Sequence, residues 1–192
     1  MSTSKASKRR SAAEERARKK RTTYILAGVA VVLVLAAMFW FDARNRAGSE
    51  VLRGRVEVYA SEGANHVPLG EKVAYRTNPP NSGPHYDRWA PPGFYDQAIA
   101  DELLVHNLEH GHVIIFYRPG ALSGDDETYV LNLTRTYVGN WDAVLAVPRE
   151  GMEHPFVLAA WRHLLRLDTL EREAVEAFID AYRGRGPENP VR

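Results

Sequence analysis

Three of the chain's seven histidines fall within one seven-residue stretch, His106-Asn107-Leu108-Glu109-His110-Gly111-His112, with a carboxylate among them. Imidazole and carboxylate are the side chains that bind borderline transition metals when no thiol is on offer, and this chain has no cysteine. The chemistry to consider first is therefore metal binding, with copper or zinc as the candidate ion. Spacing decides what the cluster can do. On a helix, His106 and His110 share one face about 6 Å apart and can hold one ion. On a strand the same pair is about 13 Å apart and cannot, whereas His110 and His112 would point the same way about 7 Å apart. Leu103-Leu104-Val105 fits either element, and Gly111 marks a break between two geometries.

Other residues extend the candidate set. His85 is the natural third ligand, and His66 is a fourth candidate. Glu109 can ligate, orient an imidazole or act as a general base. Met152 and His154 make a Met-x-His pair of the kind that suits copper. Each has a plainer reading: a histidine beside a buried strand is often only hydrogen-bonded. His106-x-x-Glu109-His110 also matches the inverted zincin pattern, in which two histidines bind zinc and the glutamate activates water. Glu173 or Glu176 would then supply the third ligand, although peptidases of that class are much larger. A serine hydrolase would need Ser82 as its nucleophile, and the residues around it lack the strand-to-helix elbow. No phosphate loop or dinucleotide fingerprint is present.

These residues must be positioned by something, and the neighbouring sequence says what. Val113 to Tyr117 reads as a buried strand stopped by Pro119-Gly120. Before the cluster, residues 61–98 are rich in Gly, Pro and Asn. Within them, Asn78-Pro79-Pro80-Asn81-Ser82-Gly83-Pro84-His85-Tyr86 can be neither helix nor central strand. A long ordered loop in a compact domain is usually functional, and this one carries His85. Val56 to Tyr59 alternates as a short strand would. Ser123-Gly124-Asp125-Asp126 opens a helix with Val130, Leu133 and Tyr137 as its stripe. Residues 141–147 and 156–161 read as strands. Asp168 and Glu171 resemble a capping box at the head of a helix that Gly184 ends. Helices and strands mix without strict alternation, so α+β is the class expected.

The N-terminus is different in kind. Residues 1–23 carry nine Lys/Arg and two Glu, a composition that buries no core and reads as a disordered basic tail. Tyr24 to Phe41 is eighteen residues without a charge, about 27 Å as a helix and so close to a bilayer's hydrocarbon thickness. Aromatics sit at its two ends, as interfacial side chains do. The run ends in bulky residues rather than a small-x-small cleavage site, which favours an uncleaved transmembrane anchor over a signal peptide. The basic flank puts the N-terminus in the cytoplasm and residues 42–192 outside, with 42–55 as linker and 56–190 as the extracytoplasmic domain. Without the tail, 16 Lys/Arg face 22 Asp/Glu, so the exported part has no call on polyanions and nucleic acid is not an expected partner. With no disulfides, the domain stands on its core alone.

The exported domain resembles a bacterial family catalogued as domain of unknown function 3105. The resemblance rests on Asn78 to Tyr86, on Gly93-Phe94-Tyr95 and on Leu104 to Tyr117, and continues weakly through Pro155 to Trp161 and Ala177 to Arg183. It implies one N-terminal anchor and an outward-facing domain, with histidines at the positions of His85, His106 and His110 and glutamate at Glu109; the position of His112 varies. It implies no activity. The expected reading is a single-pass, outward-facing α+β domain that binds copper or zinc through His85, His106, His110 and Glu109, handling metal at the membrane for a membrane-protein partner. Two alternatives stand beside it. One is a non-catalytic interaction or assembly domain whose histidines brace the proline loop. The other is a small zinc hydrolase with Glu109 as its base.

Overall fold

The computed structural model describes the backbone of residues 3–192 and the side chains of residues 23–40, 42–43 and 46–192. The chain divides into two compact units, residues 1–47 and 48–192. Helix α1 (Thr3–Leu52) makes up the first. It contains an 18-residue segment, Thr23–Trp40, with mean hydropathy 2.3, long and apolar enough to cross a membrane. The same helix runs through residues 3–22, where the sequence suggested a disordered tail, and through most of the 42–55 stretch expected to be a linker. Met1 and Ser2 of that tail lie outside the described residues. The physical reason is that nucleation, not extension, is the costly step of helix formation. The tail is built from Ala, Glu, Arg and Lys, good helix formers, and no Gly or Pro precedes Gly28.

In the second unit the last turn of α1 joins the packing: Leu52 is buried in the core, and Val51 lies against it. The unit is then α+β, as the mixed pattern predicts. Its five-stranded sheet has the order β1-β5-β4-β2-β3, with β1 (Val56–Val58), β2 (Val113–Tyr117), β3 (Val144–Pro148), β4 (Phe156–Ala160) and β5 (His163–Leu167). Only β2 and β3 run parallel, joined by helix α3 (Gly124–Thr136). The other neighbours are antiparallel.

Strand alternation sorts the side chains into two cores. Val113, Ile115, Val144, Leu158 and Leu165 face α3 and the last helix, α4 (Arg172–Tyr182), whose Val175, Phe178 and Ile179 are buried. Ile114, Phe116, Leu145, Val157 and Leu164 face the other way, onto Leu104 and Leu108 of helix α2 (Asp101–Glu109). With both faces covered, β2 and β3 can be apolar at every position, which is why Val113 to Tyr117 shows no alternation in sequence.

Two elements depart from the expected pattern. β5 carries no clear strand signal, because its tight turn from β4 uses Arg162 at φ 67° where glycine or asparagine would announce a hairpin. Arg162 is held there from outside the hairpin: its N–H donates to the Asn81 carbonyl (2.8 Å) and its Nε to that of Tyr59 (2.8 Å). The second departure is the start of α4. The helix begins at Arg172, with Glu171 at the N-cap and no side-chain cap bond, so the Asp168/Glu171 capping box does not form. Asp168 instead meets His154 (3.0 Å).

Candidate metal centre

Helix α2 settles the geometry of the histidine cluster. Leu104 and Leu108 are i and i+4 and face the sheet. His106 lies two residues on, about 200° around the helix, so it and His110 face away from the sheet. The proline-rich loop covers that side, which leaves Leu104 to Glu109 buried. The loop is pinned to the helix by polar contacts. The Tyr86 N–H donates to the Glu102 carbonyl (3.2 Å). The Val73 N–H donates to the Glu102 carboxylate (3.1 Å). Asn107 exchanges two bonds with the backbone of Ala90, at 2.9 and 2.8 Å. Residues 63–67 pair with residues 83–85: the Gly83 N–H donates to Gly63, His85 to Asn65 and Val67 to His85, at 3.0, 3.0 and 2.7 Å. This bridge sets His66 beside His85.

The result is one group of four donors, His66, His85, His106 and Glu109, whose ligand atoms all lie within 4.8 Å of one another. The histidine of the expected set that falls outside this group is His110. It joins a second group with His106 and Glu188 under the same limit. The structure thus brings together His85, His106 and Glu109, adds His66 and places His110 in the second group.

The tautomers follow from the acceptors. A carbonyl can only accept, so a ring nitrogen against one must carry the proton. Nδ1 of His85 meets the Gly83 carbonyl (2.7 Å), Nδ1 of His106 that of Tyr86 (2.7 Å) and Nδ1 of His110 that of Asn140 (3.2 Å). Each neutral ring then presents a bare lone pair at Nε2. Yet Nε2 of His85 faces the Glu109 carboxylate at 2.9 Å, and Nε2 of His106 faces Nε2 of His110 at 3.0 Å. With the Glu188 carboxylate 2.8 Å from Nε2 of His110, three contacts set acceptor against acceptor unless a cation is shared, either a second ring proton or a metal ion. A proton is a poor choice at His106, whose pKa is held down to about 4. Burial is the main cause; the Tyr86 bond opposes it, and His110, His85 and His66 add to it. A metal ion satisfies several such lone pairs at once, and the carbonyls behind the rings fix their orientation as outer partners do in metal sites.

The remaining candidates separate cleanly. His112 spends both nitrogens on structure, with Nδ1 accepting from the Asn107 amide (2.9 Å) and Nε2 donating to the Asn140 carbonyl (2.8 Å). Met152 packs in the core with Leu104 and Leu108, while His154 turns to Asp168, so the Met-x-His pair makes no site. Glu173 and Glu176 sit on α4, which packs on the opposite sheet face, and belong to neither donor group. Ser82 locks the loop: its hydroxyl accepts from the Glu62 N–H (3.1 Å) and donates to Asn81 (3.3 Å).

Three residues that sequence reasoning passed over belong here. The rings of Trp89 and Trp141 lie against His110, with centroids 4.5 and 4.1 Å away. Nε2 of His110 also meets the carboxylate of Glu188 at 2.8 Å. Glu188 carries no signal in its sequence surroundings, Gly186-Pro187-Glu188-Asn189-Pro190.

A family model described as a protein of unknown function (DUF3105) matches residues 66–192, about two-thirds of the chain. No curated protein and no solved structure matches it.

Proposed function

The chain belongs to that family of proteins of unknown function, and we propose that its domain holds one transition-metal ion, copper or zinc, at the outer face of a membrane through His66, His85, His106 and Glu109. The observation that carries this reading is the convergence of four ligand atoms within 4.8 Å of one another, with Nδ1 of the buried His85 and His106 rings each tied to a backbone carbonyl so that Nε2 is left for the group. Three nitrogens and one carboxylate oxygen match borderline divalent ions and complete a four-coordinate set from protein alone.

Topology supports an exported site. The apolar segment of α1 is long enough to span a bilayer, and the nine Lys/Arg before it favour an N-terminus in the cytoplasm. The domain would then hold its ion where periplasmic or extracellular metal is taken up or passed on, with a membrane protein as recipient. The hydrolase reading would place the ion on His106, His110 and Glu188 with Glu109 as the base beside it. It is weaker because the Glu109 carboxylate is engaged by the buried His85 ring at 2.9 Å. The reading of the histidines as mere braces accounts for the carbonyl bonds but not for the gathering of His66, His85, His106 and Glu109 within 4.8 Å.

The test uses the full chain in detergent micelles, stripped with chelator and titrated with Cu(II) and with Zn(II). About one tightly bound ion per chain is expected for one of them, lost in the His85→Ala/His106→Ala double variant. Failure of both ions to bind the unaltered protein overturns the reading.

A further inference from the structure

The second donor group has a placement that a structural role does not require. Glu188 lies on residues 183–192, a strap fastened across the end of α2. The Gly184 N–H donates to the Gly111 carbonyl (2.8 Å), and that of Glu188 to the Glu109 carbonyl (3.5 Å). The strap approaches so closely that a Cβ on Gly186 would stand 2.1 Å from the Glu109 carbonyl oxygen and 2.2 Å from the Gly111 nitrogen. Gly111 itself has φ +88°, and a Cβ there would meet the Gly186 nitrogen at 2.7 Å. The two glycines let backbone lie on backbone, and the contact they allow delivers the Glu188 carboxylate to His110. Trp89 and Trp141 lie against the His110 ring, which keeps its Nε2 aimed between His106 and Glu188.

We propose that His106, His110 and Glu188 form a second, outer metal position that exchanges one ion with the inner group. The proposal rests on the metal reading given above. His106 belongs to both donor groups, and its Nδ1 is committed to Tyr86, so the same Nε2 lone pair must serve both. One lone pair binds one ion at a time. The two groups are therefore alternative stations for a single ion rather than a dinuclear centre. Each station has one solvent-facing donor, Glu188 with 47% of its side chain exposed and His66 with 52%, while the His85 ring is fully buried. An ion that lands at Glu188 and His110 would pivot on His106 to reach His85 and Glu109, and could leave by the reverse path.

The experiment uses the full chain in detergent, with Cu(II) or Zn(II) as the only ligand. Trp fluorescence serves as the readout of an ion arriving beside His110, and a chelator serves as the acceptor. The unaltered protein is expected to take about one ion, and Glu188→Gln still about one, with uptake and release slowed roughly tenfold or more. His85→Ala is expected to retain an ion at the outer position roughly 100-fold more weakly, and His85→Ala/Glu188→Gln to retain none. Two ions per unaltered chain would overturn the proposal. So would unaltered exchange rates in both Glu188→Gln and His110→Ala. If the unaltered chain binds no ion at all, it is the metal reading itself that has failed.

Discussion

The four buried histidines of the domain are of two kinds, and they differ in what the second ring nitrogen does. In His85, His106 and His110 one nitrogen is tied to a backbone carbonyl, and the other faces a second acceptor. In His112 both nitrogens have complementary partners, the amide of Asn107 on one side and the carbonyl of Asn140 on the other. Burial does not separate the kinds, since His85 and His112 are equally inaccessible. Nor does sequence position, because His110 and His112 are two residues apart. A ligand histidine is recognisable by unfinished hydrogen bonding. A structural one is finished.

The comparison predicts a double dissociation. The largest effect falls on binding. His106→Ala removes the donor common to both groups and should lower metal affinity by more than about 100-fold, read by calorimetric titration. A variant that binds like the parent would erase the distinction drawn here. His112→Ala should do the opposite. It leaves one Asn107 amide hydrogen without its acceptor, takes away one of the two donors to the Asn140 carbonyl and opens a cavity under α2, at a cost of about 2–4 kcal/mol in stability. The inner donors stay in place, so about one ion should still bind. Thermal unfolding of the metal-free protein gives the first quantity and metal content the second. A His112→Ala chain of normal stability that no longer holds metal would reverse the assignment.

A smaller effect sharpens the line between the inner and outer groups. Gly186→Ala touches no donor. Its methyl would collide with the backbone at Glu109 and Gly111, so the strap must lift and Glu188 must leave His110. The expected cost is about 1–3 kcal/mol, with ion exchange slowed as in Glu188→Gln and the stoichiometry kept. Loss of the bound ion in this variant would show that the strap belongs to the inner site.

Local signals made some of this legible in the sequence. The i, i+4 spacing of His106 and His110, the apolar β2 after them and the proline-braced loop carrying His85 each follow from nearby residues, and together they brought three of the four inner donors into view. His110 was placed with those donors because spacing measures distance along a helix face and says nothing of what approaches that face. The loop brings His66 to one side of His106 and the strap brings Glu188 to the other, so the two imidazoles serve different groups. Both arrivals are long-range backbone pairings, residues 63–67 with 83–85 and Gly186 with Gly111. They are written as ordinary loop glycines and asparagines. The strand β5 was hidden for the same reason: its turn residue, Arg162, is held at φ 67° by partners far along the chain.

His154 marks the other limit of the comparison. Its Nδ1 meets Asp168 at 3.0 Å, much like a donor in the centre, but Asp168 has 86% of its side chain in solvent. Water can supply whatever either group lacks, so nothing there is left unfinished and no ion is called for. His154→Ala should change stability by less than about 1 kcal/mol and leave metal affinity and exchange rates where they were. The partnered ring nitrogen is common to His154 and His85; the dry second contact is not. If His154→Ala lowered metal content as His85→Ala does, hydrogen bonding alone, without burial of the unsatisfied side, would have to define a ligand in this fold.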